Sequence, residues 1–305
     1  MTAPEFQIVG IGEVLWDLLP TGKQLGGAPA NFACHAHALS ANARLISRVG
    51  DDPPGREIIA NFRARGIPTE TIGVDTAAPT GSVSVEVDAQ GHPQFTIHEN
   101  VAWDHIAADS AALAAVRSAD AVCFGTLAQR TKFVRATVAA LLAATRPDAL
   151  RIFDINLRPP FIDPDVISRS LATANVLKLN EQELPMLAEI FHLSGEPTQQ
   201  LATLADRFSL RLVALTRGSD GSVLLADGQL VEQPGLPTAV RDTVGAGDSF
   251  TAAAAIGFLR NWPLEQISLY ANTIAAYVCS QSGATPSLPE ALRRPFVETP
   301  RPTAL

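Results

Sequence analysis

The chain has 305 residues, 47% of them apolar and 18% charged, with a formal net charge of −8 at pH 7. That length fits one α/β domain carrying an insertion, and the apolar fraction supplies a large core. The acidity argues against a nucleic-acid surface but leaves phosphorylated small molecules open, because backbone amides and bound cations hold phosphate in acidic proteins.

In chain order, Phe6 to Ile11 predicts a buried strand and Pro29 to Leu39 a helix with proline in its first turn, where no hydrogen bond is lost. Arg44 to Val49 predicts a strand, and Gly55 to Arg65 a helix stopped by Gly66. Further strands are expected at Ala121 to Phe124, Leu150 to Asp154, Val176 to Leu179 and Arg211 to Thr216. Between them fall helices at Thr131 to Ala144, Pro164 to Ala174 and Pro197 to Phe208, and two long ones follow at Ala246 to Leu259 and Leu264 to Ser280. This alternation is that of a βαβ-built, mostly parallel sheet. Gly81 to Asp88 and Gln94 to His98 break the rhythm: Val83, Val85 and Val87 alternate with Ser82, Ser84 and Glu86, as in a half-exposed hairpin turning at Asp88-Ala89-Gln90-Gly91. With Glu13 to Leu18 it can build a small sheet over the mouth of the main one, either a lid or a structural flap. The proline-rich tail Arg294 to Leu305 is expected to pack loosely.

Cys34, Cys123 and Cys279 are odd in number and lack CxxC pairing, which argues against zinc sites and disulfides and reads as three buried thiols. Met1 to Gln7 shows no signal-peptide pattern and no apolar run reaches the length of about 18 residues that spans a bilayer. The expectation is a cytoplasmic protein with no membrane contact.

The chemistry concentrates in Asp242-Thr243-Val244-Gly245-Ala246-Gly247-Asp248-Ser249-Phe250. Glycines flanking an alanine turn the backbone tightly, and the helix that follows adds free N–H groups and the positive end of its dipole, which together make an anion hole. Asp248 sits at the same turn, where a carboxylate repels phosphate. Its natural task is to take a proton from a hydroxyl that then attacks the phosphate, so the turn predicts a phosphotransferase. Gly10-Ile11-Gly12 lacks the third glycine and the helix of a dinucleotide fingerprint, and no GxxxxGK[ST] loop occurs. Gly26-Gly27-Ala28-Pro29-Ala30-Asn31 opens the first helix: alone it is an ordinary helix start, but beside an anion hole it lets a ligand approach Gly27 and offers the Asn31 amide to hydroxyls. Asp17, a carboxylate among apolar residues, suits a sugar grip. Asn180-Glu181-Gln182-Glu183 reads by itself as an asparagine helix cap with acids in the first turn.

Gly26 to Gly55 and Asp242 to Phe250 resemble the two signature stretches of the ribokinase-like (PfkB) sugar kinases, and the resemblance covers nearly the whole chain. It includes Gly12 to Asp17, Asp154 to Arg158, Asn180 to Glu183, Thr216 to Gly221 and Gly283 to Ser287. The resemblance implies a ribokinase-like α/β/α sandwich over 1–305, a mostly parallel central sheet, and a β lid from about residues 13–25 and 79–100. It implies transfer of the γ-phosphoryl group of ATP to a primary sugar hydroxyl, with Asp248 as base and Gly245, Ala246 and Gly247 supplying amides to the transferred group. By the family's pattern Asp17, Gly27 and Asn31 hold the sugar, and Asn180 and Glu183 organise Mg²⁺, largely through water. Thr216, Gly218 and Gly221 match the nucleotide turn. Asn272 falls either near the adenine or at an ordinary polar helix position. Asp242, the Val244 carbonyl, Gly283 and Ser287 correspond to a monovalent-cation site, giving K⁺ as a further cofactor. The lid's half-apolar face points to a homodimer paired through it.

Gly26 to Asn31, Gly12 to Asp17, Ala102-Trp103-Asp104 and Asp154 to Arg158 resemble the fructokinase versions of these motifs, so the sugar expected is D-fructose. Fructokinases commonly continue the last motif with Leu-Trp, whereas this chain reads Pro159-Pro160-Phe161-Ile162. Ribose, 2-keto-3-deoxygluconate or another ketose or sugar acid are therefore the alternatives. Arg158 can meet a phosphate oxygen or a substrate carboxylate, or else pair locally with Asp154 or Asp163. A non-catalytic sugar- or nucleotide-sensing protein is the alternative of another class; the joint presence of Asp248, Gly245, Gly247 and Asn31 argues against it.

Overall fold

In the computed structural model, which describes residues 6–19, 22–87 and 93–298, the apolar runs become strands and the amphipathic runs helices. The chain opens with β1 (Gln7–Ile11), β2 (Leu15–Leu19) and β3 (Gly22–Gly26), then α1 (Ala28–Ala38), β4 (Asn42–Gly50), α2 (Pro53–Ala64) and β5 (Ile72–Asp75). The expected hairpin is β6 (Gly81–Val87) and β7 (Pro93–Ile97); its tip, residues 88–92, lies outside the described residues. There follow α3 (Ser110–Ser118), β8 (Ala121–Phe124), α4 (Lys132–Ala143), β9 (Leu150–Asp154), α5 (Pro164–Thr173), β10 (Val176–Asn180), α6 (Leu184–Phe191), α7 (Pro197–Phe208) and β11 (Leu212–Thr216). A second hairpin, β12 (Ser222–Ala226) and β13 (Gln229–Gln233), precedes α8 (Ala246–Leu259), α9 (Leu264–Cys279) and α10 (Glu290–Glu298).

The main sheet has nine strands in the order β13-β12-β11-β10-β9-β8-β1-β4-β5. All neighbours from β11 to β5 pair in parallel, whereas β12 runs antiparallel to both β11 and β13. Successive side chains of a strand point to opposite faces. Val9 and Ile11 accordingly join Leu177, Leu179, Val213 and residues of α3 to α7 in one core, while Ile8, Val176, Leu212 and residues of α1, α8, α9 and α10 form the other. Helices thus cover both faces, giving the expected three layers. α8 is buried all the way round from Ser249 to Gly257, which its alanines permit by letting neighbours approach closely. A second sheet, β3-β2-β6-β7, pairs β2 with β6 in parallel and each with its own hairpin partner antiparallel. It forms the lid.

Most expected boundaries fall within two residues of those observed; at the starts of α2 and α4 the ends are fixed by side-chain caps, Asp52 accepting from Gly55 N at 2.8 Å and Thr131 from Val134 N at 3.2 Å. Sequence reading passes over β5, α3, α6 and the β12–β13 hairpin. β5 has four residues including a glycine, and α3 is short, with a buried stripe made of the small residues Ala112 and Ala115 beside Val116. The hairpin did carry a signal, Asp227-Gly228, both of which adopt positive φ. Cys34 and Cys123 are buried as expected, whereas Cys279 is only half-buried.

The expectation of a loosely packed tail is corrected for Arg294 to Glu298; the rest of that stretch, residues 299–305, lies outside the described residues. Arg294 to Glu298 belong to α10, and Phe296 is fully buried against Trp262 and Tyr270, with ring centroids at 5.2 and 5.9 Å. Its carbonyl also accepts from Arg260 Nη2. One aromatic anchor outweighs the proline content. Phe296→Ala should lower the unfolding free energy by about 3 kcal/mol or more in urea denaturation; a loss under about 1 kcal/mol would mean that the anchor contributes little.

Candidate active site

Ligands of open α/β sheets bind beyond the carboxyl ends of the strands. At that edge the chain from β1 passes through Gly12 and Glu13 into the lid, then returns through Gly26 and Gly27 into α1. A Cβ on Gly26 would collide with Asp17 Oδ2, and one on Gly27, whose φ is 105°, with the Glu13 carbonyl oxygen. Only glycine lets the turn press against both. Asn31 lies one helical turn further on and is buried. Its Nδ2 donates to Asp248 Oδ2 at 2.9 Å, joining residues 217 positions apart, while its Oδ1 has no partner. Glu13 is likewise buried, with Oε2 unpartnered.

On the other side, Asp242 folds its own turn. Its Oδ1 accepts from Val244 N and its Oδ2 from Gly283 N, both at 3.0 Å. Gly245 follows at φ 79°, and a Cβ there would collide with the Ala284 carbonyl oxygen. Ala246 N reaches Thr243 O at 3.3 Å, and Asp248 stands half-buried in the first turn of α8, among N–H groups that lack intrahelical acceptors. Under this turn Lys178 Nζ meets Asp154 Oδ1 at 3.1 Å, and Asp154 Oδ2 accepts from Thr251 Oγ1 at 2.9 Å. A Cβ on Gly247 would lie 3.0 Å from that ammonium, so the buried cation lies directly against the glycine turn.

The remaining candidates follow the same edge. Asn180 ends β10 level with Thr216 at the end of β11. Asn180 Oδ1 accepts from Gln182 N and Glu183 N, the capping geometry, while Glu183 accepts from Leu157 N and Asn180 N at 2.8 Å each. Both Glu183 oxygens thus already hold an amide, which suits a magnesium ion held through water. Thr216 Oγ1 lies 3.4 Å from Leu179 O; Gly218 and Gly221 then turn the chain at φ 54° and 88°. Asn272 stands apart in the interior, where its Nδ2 is spent on Ser222 Oγ and Ser268 O. Ser287 is exposed, its carbonyl accepting from Tyr277. Arg158 forms neither local ion pair expected of it: Asp154 pairs with Lys178 and Asp163 with Arg135. Its exposed guanidinium instead acts on Glu13, Asp17 and Asp248.

Burial raises all three acids, Glu13 to about 7 and Asp17 and Asp248 to about 6. The Asp154 carboxylate pushes Asp248 up further, against the Asn31 hydrogen bond and the Lys178 and Arg158 charges. Burial opposes the Lys178 charge, but Asp154, Glu183 and Asp248 together outweigh it and keep the ammonium charged. Asp248 is therefore ionised at neutral pH yet basic enough to accept a proton, beside amides that favour an anion.

A family model for pfkB family carbohydrate kinases matches residues 20–291. The chain belongs to this family. It is 30% identical to a fructokinase of Klebsiella pneumoniae, over 92% of this chain and 95% of that one, and 29% identical to a fructokinase of Salmonella typhimurium over 92% and 95%. The solved structure of an uncharacterized sugar kinase from Pyrococcus horikoshii in complex with ATP superposes with a TM-score of 0.81 at 28% identity, covering 95% of this chain and 100% of that one. The protein is thus a pfkB sugar kinase with the ribokinase-like fold. Among the described residues, no helix is long and apolar enough to cross a membrane and no group of three or more His, Cys, Asp or Glu can hold a metal.

Sequence reading assigned no place in the pfkB site to Glu13, Lys178 or Thr251. Lys178 did leave a signal, a lone charge in the otherwise apolar strand Val176-Leu177-Lys178-Leu179. The raised acids bind protons more tightly folded than unfolded, so each takes stability away as pH rises from near 4 towards 7. Buried His35, lowered to about 4, works in the opposite sense, but its effect cancels between wild type and a variant. Asp248→Asn should therefore be more stable than the ligand-free wild type by about 1–3 kcal/mol at pH 8, with the gain vanishing near pH 4. Equal denaturation midpoints at pH 8 would contradict the raised proton affinity.

Proposed function

We propose that the protein transfers the γ-phosphoryl group of ATP to the 6-hydroxyl of D-fructose. The observation that carries this reading is the Asn31–Asp248 hydrogen bond at the head of α8, which joins a hydroxyl-binding amide to a base beside an anion hole. In the reaction, Asp248 takes the proton of the sugar hydroxyl as its oxygen bonds to the γ-phosphorus and the bond to the leaving ADP breaks. The amides of Gly245, Ala246 and Gly247 receive the charge of the transferred group, with the Lys178 ammonium beneath them. Asp17, Gly27 and Asn31 orient the sugar, while Thr216, Gly218 and Gly221 flank the nucleotide and Asn272 braces that wall through Ser222. Asn180 and Glu183 would hold Mg²⁺ through water, an ion that neutralises charge across the phosphates. Asp242, the Val244 carbonyl, Gly283 and Ser287 form the candidate K⁺ site. The Pyrococcus relative solved with ATP supports the nucleotide.

Fructose is favoured over a sugar acid by charge. Glu13, Asp17 and Asp248 set three carboxyl groups against the guanidinium of Arg158, the Lys178 ammonium being paired with Asp154, a balance that accepts hydroxyl hydrogens and disfavours a substrate carboxylate. The Klebsiella and Salmonella fructokinases support the same sugar. ADP release should be highest with fructose in a panel that includes ribose, tagatose, 2-keto-3-deoxygluconate and adenosine. Silence with fructose and turnover of another member would overturn the sugar, and silence throughout would overturn the acceptor class. Asp248→Asn should lose about 10²–10⁴ in kcat while still binding ATP. In the wild type, kcat/KM should fall about tenfold per pH unit below about 6, as Asp248 becomes protonated. Wild-type turnover in the variant would remove Asp248 from the chemistry.

A further inference from the structure

α1 carries a second buried polar side chain on the face that bears Asn31. His35 lies one turn later, and positions four apart in a helix are neighbours. Its Nε2 lies 2.9 Å from the carbonyl oxygen of Ala284, 249 positions away. The carbonyl can only accept, so Nε2 carries the proton and donates. Nothing in the proposed reaction uses this imidazole.

The oxygen it holds is the one that closes on Gly245. Any Cβ on Gly245 would collide with the Ala284 carbonyl, so imidazole and turn backbone grip one atom from two sides. Around it, Gly283 N donates to Asp242 Oδ2, Thr285 O accepts from Arg65 at 3.2 Å and Ser287 O from Tyr277 at 3.1 Å. The Arg65 and Tyr277 bonds are exposed, where water competes, whereas the His35 bond is buried. One face of one helix therefore makes two buried or half-buried ties to the far end of the sequence, Asn31 to the base and His35 to the backbone that shapes the anion hole.

We propose that His35 is a positioning residue that locks the sugar-gripping helix to the anion turn, so that hydroxyl, base and phosphate amides keep one spacing. Without the imidazole, the Ala284 carbonyl loses its buried donor and Gly245 loses its stop. The base still contacts Asn31, but the amides drift relative to it, and displacements near 1 Å cost about 10²-fold in rate. The functional half of this proposal rests on the kinase reading above; the structural half does not.

Three variants separate the outcomes. In His35→Gln the side-chain amide can replace the Nε2–H donor, His35→Asn keeps an amide that falls short of Ala284, and His35→Leu removes the donor. Hydrogen exchange of the Gly283 and Val244 amides in ligand-free protein should be at least about tenfold faster in the Asn and Leu variants and near wild type in the Gln variant. With fructose and ATP, kcat should fall about tenfold or more in the Asn and Leu variants, with the sugar KM changed less than about threefold, and the Gln variant should recover most of the loss. Unchanged exchange in both the Asn and Leu variants, or a Gln variant no better than the Asn variant, would overturn the proposal. If the Leu variant fails to fold, the Gln–Asn pair still decides. A wild type inactive on every sugar would sink the kinase reading alone, since the exchange arm is read without turnover.

Discussion

In the proposed reaction the head of α8 keeps a carboxylate and receives an anion in the same place, and much of the surrounding structure answers that conflict. Bare juxtaposition of Asp248 with a phosphate would be repulsive. Burial weakens the conflict by raising the proton affinity of the acid, and the Lys178 ammonium beneath Gly247 offsets what charge remains. The lysine is itself costly to bury. It is retained in a network in which Asp154 pairs with it and Thr251 donates to the other oxygen of Asp154, and its approach to the glycine turn gives that network a task beyond stability.

The topology makes this arrangement reachable from two ends of the chain. β1 lies between β8 and β4, so the helix that follows the first strand is brought to the face where α8 packs. Residues separated by more than two hundred positions then meet as neighbours, with Asn31 and Asp248 as the shortest bridge. The nucleotide-side candidates descend along the same edge through β10 and β11 to the antiparallel hairpin. A single order of strands thus brings Asn31 to the head of α8 and the ends of β10 and β11 alongside it.

How much of this was legible depended on the kind of signal. Helices with clear local start signals, such as α7 with proline in its first turn and α8 after a glycine turn, were read to the residue because their boundaries are local chemistry. The pairing of a glycine turn with Asp248 was legible for the same reason. What escaped was non-local. Arg158 had plausible acids close in sequence, but those acids are taken by Lys178 and Arg135, partners that only the folded sheet supplies. Asn272 looked available until Ser222 and Ser268 claimed its amide, and the tail looked loose until Phe296 found Trp262. His35 carried no motif at all; its meaning lies in a carbonyl at the other end of the chain.

The placement of Asp17 separates it from its partners in the site. Asn31 and Asp248 stand on helices packed against the main sheet, whereas Asp17 lies on β2, a strand of the lid. In the proposed reading, a sugar gripped by all three is held partly by helices of the main layer and partly by a strand of the second sheet. On that reading, any displacement of the second sheet from the main layer would withdraw an acceptor from the sugar, so recognition and closure would share one equilibrium. Substitutions that only stiffen or loosen the lid strands would then alter sugar binding without touching the sugar.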